Sequence, residues 1–160
     1  MFRRPIVSGI SGMAAVVLAA AVAASAGTSE QDKDATQLDR LLVQAQKVCP
    51  VTGKDLNSMG GPVKAEAGDT TVFLCCKGCV GKPIQKGAWA KIQANLMAAQ
   101  KLCPVRNVPL DEQAISVVAN KRLVFVCCGK GPCAAKVKAD PDKYIRLVNA
   151  MLKENLARKK

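Results

Sequence analysis

Between residues 34 and 47 the apolar positions Leu38, Leu41, Leu42 and Ala45 fall three and four apart, the spacing of one face of an α-helix. A helix over 34–47 follows, with Asp34 as its candidate N-cap. The period then changes. Residues 63–67 and 70–75 are short β-type runs separated by Gly68-Asp69, which predicts a hairpin. Residues 115–119 and 123–127 repeat the arrangement around Asn120-Lys121-Arg122. A further helix is predicted over 88–101, with Trp89, Ile92, Leu96 and Ala99 on one side. Gly131-Pro132 places a permissive residue and a helix-opening proline just before Cys133. Asp140-Pro141 does the same for a last helix carrying Tyr144, Ile145, Val148, Met151 and Leu152. The end of that segment, 156–160, puts positive charge where the helix dipole favours it. Pro83 should stop any regular helix four residues beyond Cys79. The predicted class is α+β: two tandem small modules, each a β-hairpin followed by a cysteine-bearing helix, packed with flanking and linking helices.

The modules are copies of one another. AQKVCPVTGKDL in the first matches AQKLCPVRNVPL in the second, and VFLCCKGCVGK matches VFVCCGKGPCAAK. Cys49 and Cys103 lie 54 residues apart, the pairs Cys75-Cys76 and Cys127-Cys128 lie 52 apart, and Cys79 and Cys133 lie 54 apart. All eight cysteines fall into two sets of four, which marks a duplication. The organisation read from this is a leader at 1–26, a linker and helix at 27–48, a first repeat at 49–102, and a second at 103–160 that includes the C-terminal helix.

The leader bears on compartment. Arg3 and Arg4 precede an apolar run that closes at Ala24-Ser25-Ala26, the plan of a secretory signal peptide. The run from Met13 to Ala24 is short for a membrane span, and no cysteine follows it to carry a lipid. The expectation is an exported chain beginning near Gly27, periplasmic or extracellular, and not held by a membrane once the signal is cleaved. The formal charge is +12, or +10 without Arg3 and Arg4. Basic charge suits nucleic acid, but export and the sparse aromatic set of Phe73, Trp89, Phe125 and Tyr144 argue against that partner. A solvated lysine-rich surface is the simpler account.

Chemistry rests with the cysteines, because the chain contains no histidine. Hydrolytic catalysis then lacks its usual base, no paired carboxylates replace it, and no enzyme activity is expected. Adjacent cysteines do not bond to each other without strain. Either Cys76 with Cys79, or Cys75 with Cys79, makes a close pair at the turn into the following segment; in the second repeat Cys128 and Cys133 stand five apart. Cys49 and Cys103 each begin a Cys-Pro turn. A cysteine on a turn, a hairpin, and cysteines at a helix N-terminus is a known way to assemble a tetrahedral thiolate site. Helix N-termini and nearby cations, here Lys77, Lys82, Lys130 and Lys136, favour thiolates. An all-sulfur set selects Zn²⁺ or Cu⁺, with an iron–sulfur cluster less suited to a small exported chain, and disfavours Ca²⁺ and Mg²⁺. Met59, Met97 and Met151 are further soft donors, although Met97 and Met151 also suit a core.

FLCCKGC, and FVCC followed by ADPDKYI, resemble the YHS and TRASH-like cysteine-rich modules, which are related to treble clefs and associated with heavy-metal binding, trafficking or sensing. CPVTGKDL looks like their opening turn. A typical YHS opening has aspartate first and cysteine three places on, where this chain has Cys49 and Thr52. The resemblance implies one site from Cys49, Cys75, Cys76 and Cys79, and a second from Cys103, Cys127, Cys128 and Cys133. Three readings stay open at this point. The first is an exported protein with a soft ion in each repeat, serving as structural site, buffer or delivery point. The second is a disulfide-stapled binding module without metal. The third is a thiol–disulfide redox protein using Cys76-Lys77-Gly78-Cys79, although the βαβ setting of thioredoxin-like proteins is missing.

Overall fold

The computed structural model describes residues 29–129 and 131–158; the predicted signal segment 1–26, Lys130 and the last two lysines lie outside the described residues. Helix α1 (Ser29–Gln46) leads to hairpin β1 (Val63–Ala67) and β2 (Thr70–Leu74), and α2 (Lys86–Gln100) follows. The second half repeats the plan with β3 (Ile115–Ala119), β4 (Arg122–Val126), α3 (Pro132–Ala139) and α4 (Pro141–Ala157). Helices and two small antiparallel hairpins make the α+β class that the sequence predicts.

Asp34 is not the start of α1, because the helix already runs from Ser29. The added turn, Ser-Glu-Gln-Asp-Lys, contains good helix formers but no apolar residue, so periodicity alone misses it. Asp140 does cap α4: its carboxylate accepts from the Lys143 N–H at 3.2 Å, with Pro141 at the first helical position. Both α1 and α2 stop one residue before the predicted end, at lysines in the left-handed region: Lys47 has φ 66° and Lys101 φ 63°.

In the first hairpin Val63 pairs with Leu74 and Ala67 with Thr70. In the second, Ile115 pairs with Val126 and Ala119 with Arg122. Arg122 therefore belongs to the strand and not to the turn. Asn120 and Lys121 both take positive φ, 43° and 61°, and close a two-residue loop whose twist suits the hairpin. β2 and β4 end one residue short of Cys75 and Cys127, where the chain turns away.

The cysteine-bearing helices differ between the repeats. In the second, α3 begins at Pro132 and places Cys133 in its first turn. In the first there is only a 3₁₀ turn, Lys77–Cys79, before Gly81 at φ 75° and Pro83. Proline removes the donor and the space that further helix would need.

Helices α1, α2 and α4 pack against one another. One core cluster joins Ala45 and Ala99 to Val117, Val124, Val126, Val137, Val148 and Leu152 around Cys103 and Cys133. The other joins Leu56, Val72, Phe73 and Leu74 around Cys49, Cys75 and Cys79, and Leu42 touches both. The hairpins meet where the Thr71 N–H donates to the Lys121 carbonyl at 2.7 Å. No described helix is long and apolar enough to cross a membrane.

Candidate metal centres

Each centre is assembled from three places in the chain, and the first is a turn. The Cys49 N–H donates to the Lys54 carbonyl at 2.8 Å, and the Gly53 N–H donates back to the Cys49 carbonyl at 2.8 Å. Gly53 has φ 68°, which glycine adopts without strain. Around Cys103 the same bonds run to the Val108 carbonyl and from the Asn107 N–H, at 2.9 and 2.8 Å, with Asn107 at φ 55°. Single bridges Val48–Asp55 and Leu102–Pro109 close these loops.

A buried glutamine ties each turn to its hairpin. The Gln46 side chain donates to the Phe73 carbonyl at 2.6 Å and the Val48 carbonyl at 2.9 Å, and accepts from the Phe73 N–H at 2.9 Å. Gln100 repeats the pattern with Phe125 (donating at 2.7 Å, accepting at 3.0 Å) and the Leu102 carbonyl (2.8 Å). The glutamine thus acts as a short length of partner strand. Phe73 and Phe125 stand two residues before Cys75 and Cys127, so the clamp sets the distance between the turn cysteine and the hairpin cysteine. The helix ends are held in turn by Asn95, which donates to the Gln46 carbonyl at 3.0 Å, and by Asn155, which donates to the Ala99 carbonyl at 3.0 Å. Reading the cysteines alone misses these residues. The signal was the Ala-Gln-Lys repeated ahead of both Cys-Pro turns.

The sulfurs converge. The Sγ atoms of Cys49, Cys75 and Cys79 lie within 4.8 Å of one another, and so do those of Cys103, Cys127 and Cys133. Cys75 Sγ is 3.7 Å from Cys79 Sγ, and Cys127 Sγ is 4.0 Å from Cys133 Sγ. Four sulfurs bound at about 2.3 Å around a tetrahedral Zn²⁺ would stand about 3.8 Å apart, so these gaps fit that ion. The two clusters can therefore hold a metal. Cys76 and Cys128 sit at the edge of their trios, each half-buried, at 3.8 Å from Cys79 Sγ and 3.1 Å from Cys133 Sγ. The first trio is wholly buried, whereas Cys127 of the second is half-buried. Met59 is half exposed, and Met97 and Met151 are half-buried on α2 and α4.

The electrostatics differ from the sequence expectation. Cys133, in the first turn of α3, is not a low-pKa thiol. Burial, then contact with Cys128 and the neighbouring Cys103, pushes it up to about 12. Cys79 is likewise pushed up to about 12 by burial and by its contacts with Cys75, Cys76 and Cys49. Burial also raises Cys127, helped by Cys103. The lowered sulfurs are on the turns and at the edges. Burial acts to raise Cys49, but the N–H groups of Cys75, Thr52 and Val51 and the Thr52 hydroxyl outweigh it and bring the thiol down to about 6. The N–H groups of Cys127, Arg106 and Val105 outweigh burial in the same way at Cys103. Contact with Cys79 lowers Cys76, and contact with Cys133 lowers Cys128. Lys77, Lys82 and Lys136 are exposed and take part in no ion pair among the described residues; the cation that acts on Cys128 is Arg106.

These shifts fix a pH dependence for the reduced, metal-free protein. Cys49 is held down at about 6 against an ordinary 9.0, so the stability it contributes is complete above pH 9 and is lost as pH falls through 6. Cys79 is held up at about 12, so its contribution is complete below pH 9 and is lost as pH rises toward 12. Urea midpoints in reductant are expected to rise from pH 6 to 9 and to fall above it. Ion binding needs thiolates, and must therefore displace the protons kept on Cys79 and Cys133.

Comparison of the chain with protein-family models, with curated proteins and with solved structures returns no match.

Proposed function

We propose that the protein binds one soft transition-metal ion, Zn²⁺ or Cu⁺, in each repeat, held entirely by cysteine thiolates. The observation that carries this is the convergence, twice, of three sulfurs from distant points of the chain within 4.8 Å. The first centre uses Cys49, Cys75 and Cys79 with Cys76 as fourth ligand; the second uses Cys103, Cys127 and Cys133 with Cys128. Sulfur donors and the absence of histidine suit these ions and no oxygen-preferring cation. A disulfide joins sulfurs two by two, whereas here three sulfurs in each repeat share one place at the mutual spacing of ligands, and this supports the metal reading over the stapled one. Four thiolates leave no open position for water, and the role is holding or passing on the ion and not catalysis.

The leader-like segment 1–26 supports an exported protein, periplasmic or extracellular, and FLCCKGC and FVCC support kinship with the YHS and TRASH-like modules. The ion itself is the partner this reading requires; nucleic acid and membrane play no part in it. The test is native mass spectrometry of the reduced protein given excess zinc, with free thiols counted before and after. Two ions bound and eight thiols protected are expected. No bound ion, with the eight sulfurs paired as four disulfides after purification without reductant, would reject the proposal.

A further inference from the structure

Resting on that reading, we propose that the two centres are unequal: the first retains its ion, and the second gives its ion up to an incoming thiolate through Cys128.

Four observations separate them. All three sulfurs of the first trio belong to buried residues, whereas Cys127 of the second is half-buried and lies beside Cys128, which is also half-buried. An acceptor therefore approaches two ligands of the second centre and only Cys76 of the first. The fourth sulfur is also placed differently. Cys76 lies outside the close trio, but its 3.8 Å contact with Cys79 matches the roughly 3.8 Å edge of a tetrahedral zinc–thiolate site. Cys128 is 3.1 Å from Cys133 and must move outward before both can share an ion. The Cys76–Cys79 contact is thus already at ligand spacing, whereas the Cys128–Cys133 contact must open, which costs the second centre part of its affinity.

The cause is local. In the first repeat the chain between Cys76 and Cys79 is a 3₁₀ turn, closed by the Cys79 N–H on the Cys76 carbonyl at 3.2 Å. A Cβ on Gly78 would still lie 3.8 Å from Cys76 Sγ, an ordinary contact. In the second repeat a Cβ on Gly131 would lie 2.6 Å from Cys128 Sγ. Cys128 sits in a notch that only glycine leaves open, with no slack on that side. Lastly, the turn position occupied by Thr52 in the first repeat, whose hydroxyl is 3.6 Å from Cys75 Sγ, is occupied by exposed Arg106 in the second, where its charge acts on Cys128. A guanidinium at the accessible edge attracts an anionic sulfur donor.

The step is a ligand exchange. Cys128 gives up its bond to the ion as the acceptor's thiolate forms one, and Cys127 follows with a second acceptor sulfur. The two sulfurs of a second acceptor dithiol then replace Cys103 and Cys133, so that the ion leaves on four acceptor thiolates. Cys128 departs as a thiolate and takes a proton from solvent. No oxidation state changes, so no oxidant or reductant is needed.

The test uses the full chain loaded with two equivalents of zinc and mixed with excess 2,3-dimercaptopropanesulfonate. Native mass spectrometry follows the bound zinc, and rapid alkylation maps which cysteines are free in the one-zinc species. A one-zinc species should accumulate, with alkylation at Cys103, Cys127, Cys128 and Cys133. Gly131→Ala, which keeps all eight sulfurs, should speed the first loss about tenfold and leave the second unchanged. Both ions leaving together, a one-zinc species alkylated at Cys49 to Cys79, or Gly131→Ala without effect on the first loss would overturn the inference while leaving metal binding intact. Fewer than two zinc ions at the outset would overturn the reading of one ion in each repeat, on which the inference rests.

Discussion

Zinc at about a thousand times its dissociation constant is expected to raise the stability of the reduced protein by about 8 kcal/mol, about 4 from each centre. The effect is large because each ion ties together parts of the chain that otherwise meet only through packing. Cys49 sits on a turn after α1, Cys75 at the end of β2 and Cys79 on the 3₁₀ turn, and the unfolded chain has no such arrangement to offer. The metal-free protein should nonetheless fold, since Leu56, Ile92, Val124, Val126 and Val137 are buried without reference to any ion. The comparison is therefore between two folded states, read as the shift in thermal midpoint on adding zinc and its reversal by a chelator. For a domain of this size about 8 kcal/mol corresponds to roughly 25 °C. Cys103→Ser should keep only the half owed to the first centre. A shift of a degree or two in the wild-type protein would mean that the sulfurs converge for packing alone.

Gln46→Leu and Gln100→Leu are each expected to cost about 3 kcal/mol, more than a substitution of similar size usually does. Leucine fills the space but provides no hydrogen bonds. Gln46 is 3% and Gln100 1% exposed, so water cannot replace the side chain for the Phe73 and Phe125 backbone groups. Leaving a buried N–H and C=O unpaired costs about 1–3 kcal/mol per group. The side chains leave no polar atom of their own unmatched: among the described residues no buried side-chain nitrogen or oxygen lacks a partner. The second consequence is functional. With the clamp gone, Cys75 is no longer held at its distance from Cys49, and zinc affinity at that centre should fall about 10- to 100-fold, with the other centre unaffected. Gln46→Glu keeps an acceptor for the Phe73 N–H but sets a buried carboxyl oxygen against the Phe73 and Val48 carbonyls, so it should cost at least as much as Gln46→Leu. Urea midpoints give the first effect and competition with a chromophoric chelator gives the second. Loss of stability with full zinc affinity would show that the glutamine holds the hairpin without setting the sulfur geometry.

Much of this protein was legible in one dimension. The duplication and the two cysteine sets without histidine are read directly from residue type and spacing, and both hairpins and the long helices after each cysteine cluster follow because contacts between near neighbours in sequence set them. Val63–Ala67 and Ile115–Ala119 were placed to the residue for that reason. Other features depended on contacts across the chain. Only the folded structure chose Cys75 and Cys127 over Cys76 and Cys128 for the buried trios, since which of two adjacent side chains turns inward depends on how β2 and β4 end against the Cys-Pro turns. It also raised the thiols of Cys79 and Cys133, because burial outweighs the helix terminus. Finally, it gave Gln46 and Gln100 a purpose that no local pattern reveals: their hydrogen-bond partners lie 27 and 25 residues away.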